Sequence, residues 1–128
     1  MRTVGVLFAI PVLLLALSGC TEHLSVAEKE QLRSGTSDYQ RKMLADLHVS
    51  EDEYRTAVAE AHRCVAASGA APDPVTRVDG RQLGFGFAIT APDERAGARI
   101  SDAAHRCQSD HMDVVARIWM SQGSTLAG

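Results

Sequence analysis

What the sequence lacks narrows its chemistry first. It has no basic run, and its 13 lysines and arginines are outnumbered by 16 acids, for a formal net charge of −3. A nucleic-acid backbone is gripped by surplus positive charge, so no nucleic-acid partner is expected. No serine occupies a Gly-x-Ser-x-Gly elbow, no glycine-rich loop opens a helix for phosphate, and no zincin pattern occurs. Glu51, Asp52 and Glu53 stand at a solvated helix start. General acid–base work needs a carboxylate paired in an apolar pocket. We therefore expect no catalytic residue, no resident metal and no cofactor. Cysteine is scarce, with only three in the 128 residues. The longest apolar run, Val4 to Leu17, falls short of the roughly 20 residues a membrane-spanning helix needs.

What is present begins with that run. Arg2, then the apolar stretch, then small residues make the three-part pattern of a secretory signal. The stretch ends in Leu17-Ser18-Gly19-Cys20, which resembles the lipobox of bacterial lipoproteins. The resemblance implies cleavage after Gly19 and a lipid on the Cys20 thiol, and so an anchor on the outer face of the cytoplasmic membrane. Each buried acyl CH₂ contributes about 0.8 kcal/mol, and two chains hold a protein stably on a bilayer. The alternative is an ordinary secretory signal with an incidental cysteine.

The rest of the chain divides by its punctuation. Ser25 with Glu28, Ser37 with Gln40 and Ser50 with Glu53 each match a capping box. They predict helices over 26–33, 38–47 and 51–68, the last closed by Gly69. Ala70 to Pro74 is a loop. Asp79-Gly80, between Val75–Val78 and Arg81–Thr90, predicts a two-residue hairpin turn with positive φ at both positions. Leu83, Phe85, Phe87 and Ile89 alternate toward one buried face, leaving Gly84 and Gly86 on the other. Pro92, Asp93 and Glu94 open a last helix that runs to about Ser121, with a stripe of Ile100, Ala104, Cys107, His111, Val114 and Ile118. The predicted organisation is a leader over 1–19, a lipidated tether over 20–36, a domain over 37–121 and a fraying tail over 122–128. The fold class is α+β, mostly α: two long disulfide-linked helices flank a β-hairpin, with a short helical N-terminal arm.

With Cys20 lipidated, Cys64 and Cys107 form an even pair. Each lies on the apolar stripe of a long helix, and export puts both where disulfides persist. A Cys64–Cys107 bond is expected, the alternative being two buried free thiols. Ala61-His62-Arg63-Cys64 recurs as Ala104-His105-Arg106-Cys107. Two His-x-Cys units suggest zinc, but residues two apart on a helix diverge and cannot grip one ion. Asp46 to Glu53 matches the second half of a calcium loop, yet Leu47 stands where the sharp turn needs glycine, and Lys42 and Leu44 stand at ligand positions. The acids are explained as caps.

Three residues are candidates for partner binding. Gly84 and Gly86 offer a bare strand face to a partner strand or ligand; their other reading is that they let a neighbour pack closely. Trp119, at the edge of the last stripe, is either a core lid or an exposed contact. Val49-Ser50, Glu53-Tyr54, Ala57, Cys64, Gly69, Gly84-Phe85, Cys107 and Trp119, spanning about residues 46–120, resemble a class of small exported proteins of GC-rich Gram-positive bacteria. That resemblance implies the disulfide and the helix–hairpin–helix order, and no activity. The expected function is a membrane-anchored, non-enzymatic module that binds another envelope protein. A small-ligand or metal-binding lipoprotein is the rival, and a cell-wall hydrolase the third reading.

Overall fold

A computed structural model describes residues 23–128; the leader and Cys20 lie outside the described residues. Helix α1 spans Val26–Ser34, α2 Asp38–Met43 and α3 Glu51–Ala67. The boxes at Ser25/Glu28 and Ser50/Glu53 form as expected, each hydroxyl accepting from the N3 amide while the glutamate accepts from the cap amide. The third box forms only in half. Ser37 accepts from Gln40 N–H, but the Gln40 side chain turns away into the core. Helix α2 also stops at Met43, short of the expected 47. Leu44 is drawn into the core, and Leu47 reverses the chain with φ at 59°. That left-handed conformation costs about 1–2 kcal/mol for a side-chain-bearing residue. It delivers Val49 to the core and Ser50 to its capping position.

Helices α3 and α4 (Glu94–His111) lie against each other and are joined by the Cys64–Cys107 disulfide, with Cα atoms 5.5 Å apart. The repeated tetrapeptide marks this crossing. Ala61 and Ala104 are fully buried, where only a methyl group allows the helices this close. The cysteines clamp them. His62 meets Phe85 and His105 meets Phe87, both ring edge to ring face with centroids 5.1 and 5.3 Å apart. Arg63 and Arg106 face solvent. The repeat is thus a packing device used once on each helix.

The predicted helix over 92–121 is two helices, α4 and α5 (Asp113–Ser121), broken at Met112. The break is not made by a proline or a glycine, since residues 98–122 hold neither. It is occupied by Gln40, which is 0% exposed. Its Oε1 accepts from the amides of Val114 (2.8 Å) and Val115 (3.1 Å), and its Nε2 donates to Ser109 O (2.7 Å). Ser37 Oγ donates to Asp110 O. Leaving any one of these buried groups unpaired costs about 1–3 kcal/mol. Beyond the break, Val115, Ile118 and Trp119 carry the buried face, while Val114 is only partly covered.

The hairpin is longer than expected and interrupted. Strands β1 (Ala71–Pro72) and β4 (Phe87–Ala88) pair at its base, β2 (Thr76–Arg77) and β3 (Leu83–Gly84) toward its tip, all antiparallel. The two registers differ by one residue, so Pro74 and Val75 oppose Phe85 alone, as a β-bulge. Proline fits there because it has no N–H to give. The expected two-residue turn is absent: neither Asp79 nor Gly80 has positive φ. Instead Val78 N–H reaches Gln82 O, and the Asp79 carboxylate accepts from the amides of Arg81 (2.7 Å) and Gln82 (2.8 Å). The side chain therefore supplies what positive φ would have supplied.

Residues 122–128 are not the frayed tail their small polar composition suggests. Gln122 clasps both backbone groups of Val49 at 2.8 Å, as a strand partner would. Leu126 is buried in the larger core cluster with Leu44, Val49, Tyr54 and Trp119. Its amide donates to Gly80 O, and Ala127 N–H donates to Glu51.

The disulfide closes 43 residues of chain, a loop for which chain entropy gives about 4 kcal/mol of stabilisation. The double variant Cys64→Ala/Cys107→Ala should therefore unfold at a clearly lower denaturant concentration, losing up to about that amount. A midpoint equal to that of the parent chain would refute this role.

Candidate functional site

The candidate site is the outer face of the hairpin. The alternation that buries Leu83, and partly buries Phe85 and Phe87, turns Gly84 and Gly86 outward. Phe85 touches both hydrophobic clusters, so the hairpin lies across the joint between them. His62 Nε2 reaches Asp73 O at 2.9 Å and holds the hairpin base to α3. The Tyr54 hydroxyl accepts from Leu83 N–H at 3.0 Å and holds the tip half. These attachments fix the inner face and leave the outer face to solvent.

The glycine face is not bare. A Cβ on Gly84 would lie 3.0 Å from a Val78 methyl, and one on Gly86 would lie 2.9 Å from an Asp73 carboxylate oxygen. Side chains of the partner strand lie down over both glycines, which is the close-packing reading. What remains outside is an open depression of about 580 Å³, lined by Asp73, Pro74, Thr76, Val78, Gly84 and Gly86. Val78 is 63% exposed and Val75 37%. Neither valine was singled out from the sequence, although their place before Asp79-Gly80 put them beside the tip.

Trp119 does not belong to this surface. It is 2% exposed, stacks on Tyr54 with ring centroids 5.2 Å apart, and donates its indole N–H to Arg81 O at 2.7 Å. Burial at the meeting of α3, α5 and the hairpin tip removes it from any contact role in this conformation, so it is the core lid. Such a ring pair contributes about 0.5–1.5 kcal/mol beyond its burial. Cys64 and Cys107 serve the clamp, and Cys20 falls outside the described residues.

A second concavity of about 560 Å³ lies between α2 and the start of α3, lined by Tyr39, Lys42, Met43 and Glu53. The Tyr39 hydroxyl is buried without a partner, and burial pushes its pKa up, with the charge of Glu60 adding to the effect. Glu53 is already engaged on Ser50 N–H. Among the described residues, no three His, Cys, Asp or Glu side chains converge as a metal cage. Asp46 of the calcium-loop match is spent on His48 N–H.

Two carboxylates tie the hairpin tip and the C-terminal segment in place. The amides of Arg81 and Gln82 hold Asp79 below its ordinary pKa. The amide of Ala127, with the Arg55 guanidinium, does the same for Glu51. A depressed carboxylate adds stability above its unfolded pKa, near 4, and that stability is lost as pH falls through the folded value. The protection of the Arg81, Gln82 and Ala127 amides, taken relative to their intrinsic exchange rate at each pH, should accordingly fall below about pH 4, while the α3 amides of Val58 to Val65 keep theirs. Equal loosening of both groups would show that neither carboxylate acts locally. Comparison with family models, curated proteins and solved structures returns no match to this chain.

Proposed function

We propose that this chain is a lipid-anchored, exported protein of the cell envelope whose domain binds another envelope component and catalyses no reaction. The observation that carries the reading is the division of the three cysteines. Cys20 ends a leader of secretory pattern, and the other two are bonded to each other. A structural disulfide persists outside the reducing cytosol, which agrees with export. Among the described residues, no helix is long and apolar enough to cross a membrane; the anchor in this reading is the lipid on Cys20. Cys20 stands five residues before the Ser25 cap. An extended tether of that length reaches about 17 Å, keeping α1 near the bilayer.

The partner surface in this reading is the hairpin's outer face. Its shallow form and the exposed Val78 that lines it suit an extended peptide segment of a neighbouring protein better than a small molecule. A small-ligand site between α2 and α3 is the second reading, favoured by the unpartnered Tyr39 hydroxyl beside an apolar concavity.

Intact mass of the membrane-extracted protein tests the anchor. The expected species begins at Cys20, carries added acyl mass, and gains two hydrogens on reduction. Cys20→Ala should accumulate unprocessed or leave the membrane fraction. A Cys20→Ala chain that matures normally and stays membrane-bound would sink the proposal. A photo-cross-linking residue at Val78 should capture one envelope protein in cells where the same residue at Arg106 does not.

A further inference from the structure

The break at Met112 replaces helical hydrogen bonds with side-chain bonds from α2. Before the break, Met112 N–H still reaches Gln108 O at 3.0 Å; after it, Ala116 N–H reaches Met112 O at 2.7 Å. Between them, a continuous helix would join Asp113 N–H to Ser109 O, Val114 N–H to Asp110 O and Val115 N–H to His111 O. Here Gln40 takes Ser109 O and the amides of Val114 and Val115, and Ser37 takes Asp110 O. Thr36 Oγ1 accepts from the same Gln40 Nε2 at 2.8 Å and fixes the amide's orientation. Four of the six groups that an unbroken helix would pair with one another are thus held by α2 and its cap residue Ser37.

The local sequence permits closure. Residues 98–122 contain no proline and no glycine, so no residue there forbids a continuous helix, although Ser109, Asp110, His111, Asp113, Val114 and Val115 are weaker helix formers than Met112. The Met112 backbone, at φ −137° and ψ −24°, lies off the helical minimum. The segment has a second way to satisfy these groups, the continuous helix, and α2 holds it in the first. We propose that α2 is a wedge: seated, it holds Glu94–Ser121 bent at Met112; withdrawn, it lets the segment close into one continuous helix.

The disulfide fixes α4 to α3, so α5 is the part that moves. Trp119 reports the movement, because it is the only tryptophan and is stacked on Tyr54 of α3. Helices α1 and α2 both touch α5, so whatever displaces this arm changes the position of α5. The inference does not depend on the lipid anchor or on the partner surface.

The test is Gln40→Ala in the full chain, read by backbone carbon chemical shifts, amide exchange and tryptophan emission. The expected result is that Met112 moves to helical carbon shifts, the Val114 and Val115 amides stay protected without their glutamine partner, and Trp119 emission shifts to the red. A Met112 that keeps its non-helical shift, or amides at Val114 and Val115 that exchange freely, would overturn the proposal. Where Gln40→Ala does not fold, Ser37→Ala decides, since it removes the bond to Asp110 O together with the N-cap bond from Gln40 N–H and so loosens the seat of α2. A displacement of the Met112 carbon shifts toward helical values supports the wedge; a displacement toward coil values, or none, refutes it.

Discussion

The contact of α3 with α4 at Cys64 and Cys107 is the constraint on which the remaining structure is arranged. Two alanines, Ala61 and Ala104, make room for it, and the sulfur bridge keeps the helices from separating. Once the crossing is set, His62 and His105 stand on the hairpin side, where each covers one phenylalanine of the same strand. The hairpin alone would be marginal, because two strands bury too little. Its stability comes from Phe85, Phe87 and Ile89 pressed on the helix pair. The position of the outer face is therefore a consequence of the crossing.

A second junction governs the other end. Helix α2 delivers a fully buried glutamine to a place where two helix ends meet, and that amide satisfies donors of one and an acceptor of the other. Buried polar groups carry a large penalty when unpaired and specify one arrangement when paired. The larger core, with Tyr54 stacked on Trp119, packs around the orientation this amide imposes. The apolar clusters supply the bulk of the stabilisation, and Gln40 fixes the angle at which they are held.

Signals that act over three or four residues were legible in the sequence. The starts of α1, α2 and α3 follow from their serine caps, the stripe of Tyr54, Ala57, Ala61 and Val65 is buried, and the alternation from Leu83 to Ile89 is kept. The cysteine pair was legible because parity and two apolar faces agreed. The break at Met112 was not, because its cause is Gln40, 74 residues before the Val114 amide it holds, and the position of Gln40 after Ser37 suggested a local cap. The hairpin turn was misread because Asp79 uses its carboxylate where positive φ was expected. The candidate site was half legible. Gly84 and Gly86 do face outward, but the valine and aspartate that cover them depend on a bulged register no local pattern announces.

The docking of Leu126 has a consequence for the order of assembly. The larger cluster takes Leu44 and Val49 from early in the chain, Tyr54 from α3, and Leu126 from very near its end. A ribosome or a translocation channel releases the amino end first. That core therefore stays open on one side until residue 126 has emerged, and the earlier residues wait for it with their apolar faces uncovered. Long-range closure of this kind slows folding relative to local pairing.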